Sequence, residues 1–260
     1  MKKLLFSVAI TASFAGSAFA ADLPRKAPPP VAPPVVMANW TGCYVGAGGG
    51  YGLFDQEVTT VIGGTGQRSA TIDIGGRGWF GTVGVGCDYQ FADRWVVGAF
   101  GDWDWSGLKG NVTWARGGTA VGGTIVGTER QDWTWSAGAR VGYLILPQLL
   151  TYVSGGYTET QFEAISDLTF GFTGAAATTF LPGQRYKGWF LGSGYEYGLS
   201  FLPGLYWKTE YRFADYKAES LPFTFTATGL PQGDFLDSRK FVQTIRSELV
   251  YRFNFGGGRY

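Results

Sequence analysis

Phe241-Val242-Gln243-Thr244-Ile245-Arg246-Ser247-Glu248-Leu249-Val250-Tyr251-Arg252-Phe253 alternates residue by residue. Phe241, Ile245, Leu249, Tyr251 and Phe253 share one parity, while Thr244, Arg246, Glu248 and Arg252 share the other. A period of two is that of a β-strand, whose successive side chains point to opposite faces. One face of this strand is apolar and the other charged, so the strand separates two media. In a transmembrane barrel those media are lipid outside and a polar lumen inside.

The same pattern recurs upstream. Tight turns at Ala92-Asp93-Arg94, Leu146-Pro147-Gln148 and Phe201-Leu202-Pro203-Gly204 are centred near positions 93, 147 and 203, spacings of 54 and 56 residues. They join strands expected at Trp40 to Leu53, Gly78 to Phe91, Trp95 to Trp105, Asp132 to Ile145, Leu149 to Phe162, Lys187 to Ser200, Leu205 to Tyr216 and Lys240 to Phe253. Each is long enough for a tilted membrane strand of about 9 to 11 residues. Four longer connections, at 54–77, 106–131, 163–186 and 217–239, are rich in Gly, Thr and Ala and read as extracellular loops, with parts such as Phe223-Thr224-Phe225-Thr226 extending the hairpins. The expected fold is therefore all-β: a single eight-stranded antiparallel transmembrane β-barrel of the outer-membrane type.

Composition agrees. The 260 residues include 42 Gly, 20 Phe, 14 Tyr and 10 Trp, which suits aromatic-girdled strands better than helices. Phe91, Trp95, Tyr143, Tyr195, Trp207, Tyr251 and Phe253 lie toward the short turns. Trp79, Trp103, Trp105, Trp133, Trp135, Trp189 and Phe241 lie toward the long loops. Two interfacial belts are the expected result. A soluble sandwich would instead gather these rings in its core.

Residues 1–20 read as an export signal: Lys2 and Lys3, an apolar run from Leu4, then Ala18-Phe19-Ala20. Residues 21–38, with prolines at 24, 28, 29, 30, 33 and 34, read as an extended periplasmic lead-in, and 39–260 as the barrel. Beyond the signal no apolar run reaches the roughly 18 residues of a helical anchor. Removing Lys2 and Lys3 takes the formal charge from +1 to −1, which gives a nucleic acid no electrostatic footing.

The inward parity collects Asp88, Asp102, Asp104, Glu196, Glu210 and Glu248 against Arg140, Lys208, Arg212, Arg246 and Arg252. On the lipid face a midplane Arg or Lys costs about 2 to 4 kcal/mol, so this parity marks the lumen. Eight strands enclose a space that side chains fill, and these charges are expected to pair as a structural network. Gly46, Gly48, Gly50, Gly84, Gly86, Gly138, Gly142, Gly192, Gly194 and Gly198 share their parity and leave them room. Gly76-Arg77-Gly78-Trp79-Phe80-Gly81 matches a dinucleotide-loop spacing, but no helix-forming sequence follows it. There is no histidine, which removes Ser-His-Asp catalysis and most zinc and haem ligation. No catalytic residue, cofactor or metal site is expected. Cys43 and Cys87 share the lipid-facing parity near the periplasmic end, and two readings stay open: a pair of small apolar residues, or a disulfide formed on export.

Ala21-Asp22-Leu23-Pro24, the segment Asn39-Trp40-Thr41-Gly42-Cys43-Tyr44-Val45-Gly46 and the ending Tyr251-Arg252-Phe253-Asn254-Phe255-Gly256-Gly257 with Tyr260 resemble the small outer-membrane immunogenic proteins of alphaproteobacteria. Those are porin-family barrels similar to the OmpA transmembrane domain. Cys43 stands where that family usually has an aromatic, and Ser247 where a glycine is more usual. The resemblance implies residence in the outer membrane of a Gram-negative bacterium, contact with its lipid, and insertion by the barrel-assembly machinery. It points to a structural or envelope-integrity role. A small-solute porin, and a surface adhesin or ligand-binding protein acting through its loops, remain open, and no loop ligand is indicated.

Overall fold

A computed structural model describes residues 39–115, 124–170 and 174–253. The expected export signal and proline-rich lead-in lie outside them. The strands, in chain order, are β1 (Gly42–Val61), β2 (Ile72–Phe91), β3 (Trp95–Ser106), β4 (Lys109–Ala115), β5 (Thr124–Leu146), β6 (Leu149–Phe162), β7 (Thr169–Phe170), β8 (Thr179–Phe180), β9 (Gln184–Gly198), β10 (Leu205–Phe225) and β11 (Pro231–Phe253). Eight of them, β1, β2, β3, β5, β6, β9, β10 and β11, pair antiparallel with their neighbours in a closed ring, sealed by the β1–β11 ladder. Closure satisfies the backbone N–H and C=O groups that an open edge would present to lipid.

Following opposed residues around the ring fixes the stagger. Gly46 pairs with Gly84, then Asp102, Ser136, Thr158, Gly188, Tyr216 and Lys240, and returns to β1 at Gln56, ten residues from the start. For eight strands that shear gives a tilt of about 40° and a backbone radius of about 8 Å.

Three short turns close one end. In the β2–β3 turn Ala92 and Asp93 both take positive φ, 47° and 61°, the left-handed pair of a tight hairpin. Gly204 (φ 85°) supplies the same freedom in the β9–β10 turn.

Strand lengths correct the sequence reading at the other end. Nearly all of 54–61, 72–77, 124–131, 217–225 and 231–239 is strand, not loop, and β10 and β11 run for 21 and 23 residues. β10 therefore rises about 50 Å along the axis, about twice the apolar band of about 25 Å. At the lower end, the strand expected from Trp40 begins at Gly42, and the one expected to end at Ser200 stops at Gly198.

The reason lies in an inversion along each strand. Low on β1, Val45, Tyr51 and Leu53 face outward; higher up, on the same parity, stand Asp55, Glu57 and Thr59, while Phe54 and Val58 are buried inside. β11 does the same: outward Ile245, Leu249 and Tyr251 give way to Arg239 and Asp237, and inward Arg246 and Glu248 to Leu236. The lower barrel is apolar outside and charged inside. The upper barrel carries charges outside and buries Leu108, Val112, Ile125, Phe162, Ile165, Leu168, Leu181, Leu221 and Phe223, which continue the hydrophobic core upward. The outer surface between the two zones carries the expected upper belt, with Trp79 at 74% exposure its most open member and Trp103 and Trp133 stacked at 5.0 Å.

Cys43 and Cys87 are directly opposed in the β1–β2 ladder, their Cα atoms 3.9 Å apart, and their sulfurs are bonded. Denatured, unreduced mature protein is expected to show no thiol reactive toward maleimide and two after reduction. Labelling of two thiols before reduction would remove the bridge.

Candidate functional site: the charged lumen

Each inward charge arises from the parity of its strand, and the ten-residue stagger decides which charges meet. The eleven expected residues lie inside the barrel in two networks. Nearest the short turns, Asp88 (β2), Arg140 (β5), Glu196 (β9) and Arg252 (β11) form a closed square. Arg140 donates to both oxygens of Asp88, at 3.0 and 2.5 Å, and to Glu196 at 3.2 Å. Arg252 donates to Glu196 at 2.8 Å and to Asp88 at 2.7 Å. All four side chains are buried. Tyr44 packs against both guanidinium groups, at 4.7 and 4.9 Å.

Beneath the square sits Trp40, fully buried. Its indole N–H donates to the Pro147 carbonyl in the β5–β6 turn, and its ring lies under Arg252 at 4.6 Å. A residue read from sequence as the first of a strand thus folds under the lumen floor.

Above the square, acids and bases alternate in a chain: Glu248 to Lys208 (3.1 Å), Lys208 to Glu210 (3.8 Å), Glu210 to Arg212 (2.9 Å), Arg212 to Asp102 (3.0 Å), Asp102 to Arg246 (3.4 Å) and Arg246 to Asp104 (2.9 Å). Arg212 engages Asp102 through both terminal nitrogens, the bidentate geometry that a planar guanidinium favours. Tyr152 and Ser154 donate to the two oxygens of Glu210, at 2.9 and 3.2 Å. Glycine makes this crowding possible: a Cβ at Gly192 would stand 2.8 Å from a Glu210 oxygen, and one at Gly194 2.8 Å from the Tyr152 hydroxyl. With four acids and three bases the chain carries one excess negative charge.

Further up lies a polar layer in which Gln131, Thr134 and Thr160 hydrogen-bond to one another, and Ser136 bonds Thr158. A cavity of about 20 Å³, room for about one water molecule, lies between this layer and Arg212 and Arg246.

The sequence reading missed a third group. Lys240, fully buried, donates to Glu129 at 2.7 Å and to Gln56, with Phe162 at 4.2 Å from its ammonium. Lys240 shares the parity of Arg246 and Glu248, so the alternation contained it. Glu129 was hidden in a stretch read as loop. Beside them, burial and then the Glu129 carboxylate push the Tyr186 hydroxyl above its usual pKa. Among the described residues no cluster of His, Cys, Asp and Glu has the arrangement of a metal site.

This architecture has known counterparts. The model of the autotransporter beta-domain matches residues 34–212. The chain belongs to that family. It is also 29% identical to the 31 kDa outer-membrane immunogenic protein of Brucella melitensis and to that of Brucella suis, over 97% of this chain and 100% of each relative. The crystal structure of the outer membrane protein OprG from Pseudomonas aeruginosa shares the fold, with a TM-score of 0.50 at 14% identity, covering 84% of this chain and 100% of OprG. The chain is an outer-membrane β-barrel protein.

The square supplies a quantitative test. Glu196→Gln leaves Arg140 and Arg252 with Asp88 as their one full countercharge, and breaking a buried pair in this way costs about 3–5 kcal/mol. Arg239→Gln removes a pair with Asp215 on the outer surface, worth about 1 kcal/mol or less. Urea unfolding in detergent is expected to separate the two variants accordingly. Equal losses would take the square out of the account of stability.

Proposed function

We propose that the protein is a structural element of the outer membrane, a barrel whose lumen is closed to solutes. The observation that carries this reading is the stack of buried groups along the axis: Trp40, the charged square, the alternating chain, the Lys240–Glu129 pair and the apolar upper core. A backbone radius of about 8 Å leaves an interior that side chains fill. An ion path would need mobile or hydrated charges, whereas these are held in multidentate pairs. Passage of a polypeptide would require both networks to be dismantled, so membership of the autotransporter family does not carry secretion with it here. The pairing also argues against catalysis: Asp102 and Asp104, two inward acids two residues apart on β3, are each engaged by arginine.

Planar-bilayer recording of the refolded mature protein tests this. No stable conductance steps are expected from the wild type. Reproducible steps that persist with the square intact would replace the closed barrel with a porin.

A further inference from the structure

Immediately above the upper aromatic belt, the outer surface carries a ring of charged residues, and some of its cations have carboxylate partners. Arg239 pairs with Asp215 at 2.9 Å, and Arg185 with Glu159 at 3.2 Å. One sector differs. Arg77 on β2 is directly opposite Lys109 on β4, and Lys109 is directly opposite Arg130 on β5. All three are exposed, and among the described residues none has an ion-pair partner within 4 Å.

Opposed side chains on neighbouring strands have Cβ atoms about 4.5–5.5 Å apart, and like charges so placed destabilise a sheet. Here two such contacts stand in series. The three cations line an open groove of about 680 Å³, whose lining includes one carboxylate, Asp55. The groove sits where β2 and β4 part: their ladder consists of the Arg77–Lys109 pair alone. Its lining includes the apolar Leu53, directly opposite Arg77 on β1, and the exposed Trp79 stands two residues below Arg77 on the same face of β2.

We propose that Arg77, Lys109 and Arg130 clamp the phosphate groups of a lipid headgroup in the outer leaflet. The height selects the ligand. Aromatic belts lie at headgroup level, so an anion held just above Trp79 is one whose acyl chains lie along the strands below. The charge selects it as well, since three cations against one carboxylate leave the groove with two positive charges in excess. Arginine adds a planar fork suited to phosphate oxygens, and lysine a compact point charge between the two forks.

The test uses the refolded full-length mature protein in detergent micelles, with binding followed by native mass spectrometry. Probes are bisphosphorylated lipid A, the same lipid dephosphorylated, and inorganic phosphate. The wild type is expected to bind the phosphorylated lipid at least tenfold more tightly than the dephosphorylated one. The triple variant Arg77→Gln, Lys109→Gln, Arg130→Gln should lose at least tenfold, and Lys109→Gln alone about threefold. Lys217→Gln, an exposed cation on β10, should bind as the wild type does. Folding of each variant is checked by its compact form in unboiled SDS; should the triple variant lack it, Lys109→Gln decides the matter. Unchanged binding by the folded triple variant, or by Lys109→Gln in its place, overturns the proposal. So does equal binding of the two lipids. Displacement of the lipid by millimolar inorganic phosphate would mark a site for free anions and overturns the lipid assignment.

Discussion

Everything in this barrel depends on how far the sheet is staggered when it closes. With a shear of ten, backbone groups along the β1–β11 seam find partners, which a lipid environment demands. The same number sets the radius, and the radius sets what fits inside. It also decides which charges meet: Asp88, Arg140, Glu196 and Arg252 come from four different strands and are separated in sequence by about fifty residues at each step, yet the stagger brings them to one height.

Charges held in this way hold the barrel in turn. A guanidinium in the lumen has lost most of its water, and its stabilisation depends on several carboxylate oxygens and on the rings of Tyr44, Trp40 or Phe190 stacked against it. The glycines are the counterpart of this crowding, since the wall is thinned to backbone where the long side chains lean. The contacts that neutralise these charges also fix the side chains that carry them.

Much of this was legible in sequence, for reasons that can be given residue by residue. In the membrane zone lipid enforces the alternation strictly, so Arg246, Glu248 and Arg252 identify the lumen face without a structure. The partners of those charges were not legible, because parity assigns a face while only the inter-strand register assigns a neighbour. The upper strands were missed for a different reason. Phe54 and Val58 are inward, Asp55 and Glu57 outward, and a reader following the apolar face from Leu53 sees the pattern dissolve into a loop. The period of two continues through it; what changes is the solvent on the outer side. Glu129 was lost in this way and its partner Lys240 went unremarked with it. Arg77, Lys109 and Arg130 read as three unrelated loop cations until β2, β4 and β5 set them side by side.

The reversal of the apolar face gives the molecule a waterline. On β1 it runs between Leu53 and Asp55, on β2 between Trp79 and Arg77, on β10 between Phe213 and Asp215, and on β11 between Phe241 and Arg239. A shift of two residues along the strands, about 5 Å along the axis, would drown a circle of charges in hydrocarbon or lift a circle of tryptophans into water. The barrel therefore floats at one draught. In a bilayer thinner or thicker than the one it fits, the lipid around it deforms while the protein keeps its level.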